Sequence, residues 1–443
     1  MAKVRHCPSE VDVKTSAPKL TRSRGCILAV AVLAAACGDP DRPGPIDPPR
    51  DTTTTVGPSG FKACSNGLAG DFSCDGVNLM SRLTLTGFAN SGGNANDVWG
   101  WTDPATGIEW ALVGHSEGTA FVSLKDPERP VYTGLLPLTE GASPSLWRDI
   151  KVYRDHAYVV ADDAGRHGMQ VFDLTQLRGV SNPPQSFTAT TTYDRIHSAH
   201  NIVINEETGF AYSVGGGGGS DTCGGGLHMI DIRTPADPRF AGCFADESTG
   251  NRRTGYTHDA VCVVYRGPDT EHRGKEICFG SNETALSIAD VTDKANPAAL
   301  AAVSYPDLGY THQGWLDEEH EYLYMNDEFD EYNRGRTRTL VWDIKDLDDP
   351  IVATEFDHGT AVSDHNLYVV GDMMYQSNYA AGLRILDISD RENPREIAFF
   401  NTEPGAADQP GMWGAWSNYP FFASGVIPVS SMGGGVLFVK RAN

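Results

Sequence analysis

Long amphipathic helical patterns are missing from this sequence, and its leading apolar run is short. That run, residues 26–36, is too short for the roughly 20 residues that a transmembrane helix needs. Cationic residues are also scarce, because 35 Lys and Arg stand against 58 Asp and Glu, for a formal net charge of −23. A surface this acidic repels nucleic acid and anionic lipid, so neither is expected as a direct partner.

Several motifs that would identify a reaction are also unsupported. No two cysteines have C-x-x-C spacing, which argues against a cysteine-ligated metal site. The glycine-rich residues 215–219 and 224–226 are followed by neither Lys-Ser/Thr nor a helical pattern, so they do not predict a phosphate loop. Ser123, Ser198 and Ser281 lie in no G-x-S-x-G sequence, which gives them no sign of a serine-hydrolase nucleophile.

Short strands joined by turns are what the sequence does contain. It has 48 glycines and 26 prolines, and residues 364–394 place three apolar runs between turn signals. Strands are predicted at residues 367–370, 373–376 and 383–388, with Gly371-Asp372 as a hairpin turn. A fourth strand follows at residues 397–400. Four antiparallel strands in about 35 residues are typical of one blade of a β-propeller.

The third strand of this blade recurs along the chain as a marker: Gly, alternating apolar residues, then Asp. Its copies begin at residues 118, 168, 226, 286, 339, 382 and 435. The acidic markers are Asp126, displaced by two residues, and Asp173, Asp231, Asp290, Asp343 and Asp387; Lys440 takes this position in the last copy. Seven copies predict an all-β, seven-bladed propeller of four-stranded antiparallel blades. The ring is expected to close by borrowing residues 83–88 for the weak last blade.

The first 36 residues have the features of a targeting segment. Lys14, Lys19, Arg22 and Arg24 precede the apolar residues 26–36, and Cys37 follows three alanines, which resembles a lipoprotein cleavage site. The alternative is an ordinary signal peptide cleaved after Ala36. Gly38 rather than Asp follows Cys37, which favours the outer membrane or cell surface over inner-membrane retention. Residues 37–60 are rich in proline and threonine and predict a solvated tether ahead of a propeller at 61–443.

Six cysteines remain after the leader: Cys64, Cys74, Cys223, Cys243, Cys262 and Cys278. An even number in an exported chain predicts disulfides, and sequence order suggests the local pairs 64–74, 223–243 and 262–278.

These features together resemble a known group of proteins. The marker strands resemble the LVIVD repeat of bacterial β-propellers, and the wider chain resembles the exported choice-of-anchor B family. The matching segments are SAHNI at 198–202, THDAV at 257–261, THQGWL at 311–316 and DHNLYV at 364–369. The resemblance implies the fold and an exported location, and it implies no reaction.

Polar residues precede the first strand of each blade and follow the second, so the propeller architecture brings them to one rim around the axis. The candidate metal ligands at this rim are His200, His258, Asp259, Glu283, His312, Asp327 and His365. Imidazoles with carboxylates suit Zn²⁺, whereas the oxygen ligands alone suit Ca²⁺. The competing interpretation is structural, because a position repeated in most blades is well placed to bond the next blade and lock the ring. Trp99, Trp101, Trp315, Trp413 and Trp416 are interpreted as inter-blade packing.

The sequence therefore predicts an exported, lipid-anchored β-propeller that binds a protein, a glycan or an ion. A metal-dependent hydrolase that uses the same rim is the alternative, and nearly equivalent blades favour binding over catalysis.

Overall fold

The computed structural model describes residues 60–85, 93–219 and 223–442. The predicted leader, Cys37 and almost all of the predicted tether lie outside these residues. In the described part of the chain no helix has the length and apolarity needed to cross a membrane. Helices there are single turns: the 3-10 segments Leu174–Gly179, Cys223–Gly225 and Asn251–Arg253 and the α-helix Asp330–Arg334.

Seven four-stranded antiparallel blades make up the fold, as predicted. The first strands of blades 1 to 7 are Ala95–Thr102, Arg148–Tyr153, Asn201–Asn205, Asp259–Val264, Thr311–Leu316, Asn366–Val370 and Ala415–Asn418. The second strands are Glu109–His115, His156–Ala161, Phe210–Val214, Glu276–Ser281, Tyr322–Asp327, Met373–Asn378 and Val426–Ser431. The third strands are Gly118–Ser123, Met169–Asp173, Leu227–Asp231, Leu286–Asp290, Arg338–Asp343, Gly382–Asp387 and Gly435–Arg441. The outer strands are Val131–Pro137, Thr191–Tyr193, Arg239–Phe244, Ala298–Val303, Ile351–Asp357, Arg395–Phe400 and Val77–Leu83.

Short strands supplement three parts of this ring. Leu68–Ala69 and Phe72–Asp75 extend the outer edge of blade 6, and Gln185–Ser186 pairs with the outer strand of blade 1. Ile196–Ser198 and Gly217–Gly219 form a separate two-stranded sheet.

The core lies between the blades. First strands of successive blades contact one another around the ring, and blade 7 contacts blade 1. A buried apolar cluster lies between the two blades of each neighbouring pair. In blade 5, for example, Leu340 and Trp342 face blade 4, whereas Val341 faces blade 6. Period-two alternation thus gives each strand two buried faces, which explains why the marker strands are continuously apolar.

The repeated Asp and Gly of the marker both have geometric roles. The Asp carboxylate accepts the backbone N–H two residues later in five blades: Asp173, Asp231, Asp290, Asp343 and Asp387. This hydrogen bond sets the turn into the outer strand. Gly382 opens its strand at φ +76°, and a Cβ there would lie 2.2 Å from the Phe400 carbonyl oxygen. Only glycine fits that approach.

The ring closes through an N-terminal strand, but not the predicted one. Val77–Leu83 pairs antiparallel with Gly435–Arg441 and supplies the outer strand of blade 7. Of the expected residues 83–88, only Leu83 belongs to this strand, and 86–88 lie outside the described residues. The alternating residues Val77, Leu79 and Leu83 are the ones that the closure buries.

All three predicted disulfides are present: Cys64–Cys74, Cys223–Cys243 and Cys262–Cys278. The first holds the N-terminal segment against the edge of blade 6, because Cys74 pairs with Phe400. The third links two adjacent strands of blade 4 at directly paired positions.

Candidate functional site

The face on which the first strands begin is called the upper face. Here His200, His258, His312 and His365, from blades 3 to 6, form what we call the imidazole arc. Neighbouring rings along the arc have centroid separations of 4.3, 4.3 and 4.4 Å. Trp416 of blade 7 continues it, 4.6 Å from the His365 ring. The structure therefore brings all four sequence-predicted histidines together.

Three members of the arc lock adjacent blades. Nδ1 of His258 donates to the His312 carbonyl, and Nδ1 of His312 donates to the His365 carbonyl, each at 2.9 Å. His365 donates in the same way to the Trp416 carbonyl at 2.6 Å. Since a carbonyl oxygen can only accept, the proton of each neutral ring sits on Nδ1. His200 instead bonds the Asp162 carboxylate at 2.9 Å.

This locking directs the second ring nitrogen to other partners. Nε2 of His312 lies 3.8 Å from Oε2 of Glu328, and the donor atoms of His312, Glu328 and His365 all lie within 4.8 Å of one another. The four imidazoles line a cavity of about 10 Å³, room for roughly one water molecule or ion. Glu328 also accepts the Tyr379 hydroxyl at 2.6 Å.

Burial keeps His312 and His365 uncharged. Desolvation lowers the pKa of His365 to about 3. Desolvation and the neighbouring imidazoles lower the pKa of His312 well below its ordinary value. Neutral imidazole is the form that binds a metal ion, so no proton has to leave these rings at neutral pH.

In several blades the residue that follows the rim position bonds a neighbouring blade. Asp97 accepts the Ile150 N–H, Asp149 accepts the Ile202 N–H, and the Gln313 amide makes two hydrogen bonds with the Leu367 backbone. These are blade-to-blade bonds, as the structural interpretation predicted. Lys151 bonds Asp149 at 2.7 Å and lies 3.9 Å from Asp97, so it compensates both buried carboxylates.

The three predicted carboxylate ligands do not line the arc cavity. Asp327 is engaged by the Tyr305 hydroxyl and the backbone N–H groups of Gly309 and Tyr310. Glu283 accepts the Asn251 N–H at 2.7 Å. Asp259 faces the opposite way along the axis, since successive strand residues alternate. Burial and the charge of Asp149 raise the pKa of Asp259 to about 7.

Asp259 lines a larger axial cavity that opens toward the lower face, called the funnel here. Its volume is about 580 Å³, and aromatic rings from four blades line it: Trp99, Trp315, Tyr368, Tyr419 and Phe421. Phe421 lies 6.0 Å from the Trp99 ring and 6.1 Å from the Trp315 ring.

Trp101, Trp99 and Trp315 all pack against inter-blade clusters, as predicted. Trp99 and Trp315 have a second role, because they also line the funnel. The alternation of the first strands could have revealed this, because Trp99 and Trp315 share the axial face of their strands.

Sequence reasoning also missed two other features. Glu328 is not among the predicted ligands, although the structure places it beside His312. Residues 114–118 read Gly-His-Ser-Glu-Gly, a G-x-S-x-G sequence that was overlooked. They form the tight turn between Glu109–His115 and Gly118–Ser123, and Ser116 Oγ bonds the Asn94 backbone. A strand rather than a helix follows, so this is not a hydrolase nucleophile turn.

Comparison with known proteins supports the fold. Residues 363–402, which contain blade 6, match the LVIVD repeat. No curated protein sequence matches the chain. Among solved structures, a protein from Lactobacillus plantarum, a structural-genomics target, is similar with a TM-score of 0.50 and 12% identity. The match covers 76% of this chain and 88% of that one. At this identity the likeness concerns the fold alone. The disulfides and the LVIVD-repeat propeller fit an exported protein.

Proposed function

We propose that this protein is an exported, lipid-anchored binding module that holds one transition-metal ion on the imidazole arc. The observation that carries the proposal is the locking of three imidazoles through Nδ1 to backbone carbonyls. Metal-binding histidines commonly fix their second nitrogen in this way, which orients Nε2 toward the metal. Glu328 adds a carboxylate beside two of these rings. Nitrogen donors with one carboxylate suit Zn²⁺.

The size of the arc cavity supports binding over hydrolysis. A hydrolytic zinc site needs an open coordination position with room for water and substrate. About 10 Å³ holds an ion but no organic substrate, and His258, His312 and His365 are each at most 4% exposed. The metal would then strengthen the ring and shape the upper face for a partner.

Thermal unfolding of chelator-treated protein, with and without added Zn²⁺, tests the metal site. We expect Zn²⁺ to raise the melting temperature of the wild type, and His312→Ala to abolish that increase. His358→Ala is the control, because it removes another imidazole, a half-buried one that lies outside the arc. The control should be destabilised yet respond to Zn²⁺ in full. If the wild type does not respond to Zn²⁺, the arc serves only to lock the blades.

The funnel favours a second candidate function, the binding of a glycan. Its volume is in the range of small-molecule sites, and its aromatic rings stand beside the carboxyl groups of Glu206 and Asp259. Stacking faces next to hydrogen-bonding groups are the features that bind sugars. Titration with short oligosaccharides should change the tryptophan fluorescence of the wild type, and Trp315→Ala should bind them more weakly. An unchanged signal for every oligosaccharide would remove this candidate.

A further inference from the structure

A group of buried acidic side chains lies beside the arc, between blades 5 and 6. We call it the acidic pocket, and its members are Glu328, Asp330, Glu331, Asp364 and the amide of Asn378. The three residues from blade 5 follow the strand Tyr322–Asp327 and enter the short helix Asp330–Arg334. Asp364 directly precedes His365. None of the five members is more than 6% exposed.

Only some of the polar atoms in the pocket have hydrogen-bond partners. One oxygen of Asp330 accepts a hydrogen bond from Nε of Arg338 at 2.7 Å. One oxygen of Glu331 accepts a hydrogen bond from the Ser363 hydroxyl. The second oxygen of each has no hydrogen-bond partner among the described residues. Both oxygens of Asp364 also have none there. The oxygen and the nitrogen of the Asn378 amide are likewise unpartnered there. Buried polar atoms are normally paired, so this concentration is unusual.

The unpaired groups are close to one another. Ser363, which bonds Glu331, is the residue before Asp364. Tyr379, which bonds Glu328, is the residue after Asn378. Asn366 pairs with Ser377, and beyond this pair the His365 and Tyr379 rings lie 4.8 Å apart, so the segment that carries Asp364 runs beside the one that carries Asn378. Burial, together with the charges of Asp330 and Glu331, raises the pKa of Asp364, so the carboxyl groups of blade 5 and blade 6 lie in one buried region.

Charge in the pocket is only partly compensated. Four carboxylates are buried there, and the Arg338 guanidinium, which bonds Asp330, is shared with Glu355 outside the pocket. Burying unpaired carboxylates is unfavourable unless a cation or protons balance them. The acceptors that remain are all oxygens.

We infer that the acidic pocket binds one hard divalent cation of the Ca²⁺ class. Asp364 and Glu331 would supply carboxylate ligands, and Asn378 would supply its amide oxygen. Ca²⁺ takes six to eight oxygen ligands in a tolerant geometry, which suits acceptors on two loops, whereas Mg²⁺ demands a near-ideal octahedron. The inference goes beyond the proposed function, because it uses different donors from the imidazole arc and a different class of metal.

Calcium titration of chelator-treated full-length protein tests this inference by calorimetry and thermal unfolding. We expect Ca²⁺ to bind the wild type in a 1:1 ratio and raise its melting temperature. Asp364→Asn keeps the shape and removes the charge, so it should bind Ca²⁺ at least tenfold more weakly. In chelator it should melt no lower than the wild type, because it removes an uncompensated buried charge. Asp387→Asn, the same change at an exposed turn, should bind Ca²⁺ like the wild type.

Further variants distinguish this site from the imidazole arc. His312→Ala should retain the Ca²⁺ response, so loss of the Zn²⁺ site alone leaves the inference standing. If Asp364→Asn does not fold, Glu331→Gln replaces it with the same expectation. A wild type that binds no Ca²⁺ would overturn the inference and assign the carboxylates to protonated or water-bonded forms. Unchanged Ca²⁺ binding by both variants would place the ion elsewhere and overturn it equally.

Discussion

The histidines of the arc show how one side chain can combine two tasks. Through Nδ1 they bond the next blade, which is the repeated and therefore structural task. Their rings also line a small cavity, and Nε2 of His312 lies beside Glu328. Position in the sequence indicates only that histidines gather at one rim. It could not separate the two nitrogens, because that depends on which carbonyl the folded neighbour presents.

His358, a half-buried histidine outside the arc, predicts a pH dependence. Burial lowers the pKa of His358 to about 3, whereas an unfolded histidine has a pKa near 6.5. Between these values the unfolded chain binds a proton that the folded chain does not, so stability is lost as pH falls. Across this window the free energy of unfolding falls by up to about 1.4 kcal/mol for each pH unit.

Urea unfolding of the wild type and His358→Gln at pH 8, 6.5, 5.5 and 4.5 measures this effect. The stability difference between the two proteins should be constant from pH 8 to about 7. It should then shrink as pH falls, because only the wild type carries this proton linkage. A difference that is independent of pH would contradict the prediction.

At the scale of single strands, alternation predicted much of the fold. Blade 6 has strands at Asn366–Val370, Met373–Asn378, Gly382–Asp387 and Arg395–Phe400, within two residues of expectation. The closing strand was misplaced because residues 83–88 alternate as regularly as Val77–Leu83. Only pairing with Gly435–Arg441 distinguishes the two, and that contact spans nearly the whole chain.

The site was less predictable than the strands. The four histidines were found because each precedes a first strand, but the funnel and the acidic pocket were not. Both depend on which side chains from separate blades share one volume. No local pattern in the sequence encodes that distance.

The turn after each marker strand offers a prediction at this scale. Asp290 accepts the Thr292 N–H at 3.0 Å and so fixes the turn into Ala298–Val303. Asp290→Ala removes the acceptor and should lower stability by about 1 kcal/mol, the net value of such a hydrogen bond. Asp290→Asn retains an acceptor and should lose less, as measured by urea unfolding at pH 7. Equal losses would show that the charge, through Lys275, matters more than the turn.

For the whole molecule, the proposed lipid anchor can be tested by fractionation. Cys37→Ser should release the protein from the membrane fraction, because acylation at Cys37 is the proposed attachment. Cys26→Ser is the control, since it keeps the apolar run and the predicted cleavage position. Membrane retention of Cys37→Ser at the wild-type level would contradict the anchor.

Closure of the ring makes the stability of all blades depend on one N-terminal strand. Val77–Leu83 covers the marker strand of blade 7, whose residues Val436 and Phe438 are fully buried. A protein that begins at residue 84 would expose that strand and open the ring between blades 7 and 6. Since each blade shares its apolar faces with two neighbours, the loss should spread, and cooperative unfolding should disappear.

Two further proteins make this test specific to the strand. A protein that begins at residue 60 keeps Val77–Leu83 and should melt like the mature wild type. Leu79→Asp keeps both the strand's backbone and the Cys64–Cys74 disulfide, but buries an unpaired charge where Leu79 is 2% exposed. We expect it to melt far lower than the wild type, as measured by calorimetry. If the protein that begins at residue 84 keeps the wild-type transition, the ring does not depend on this strand, and blade 7 is stable with three strands.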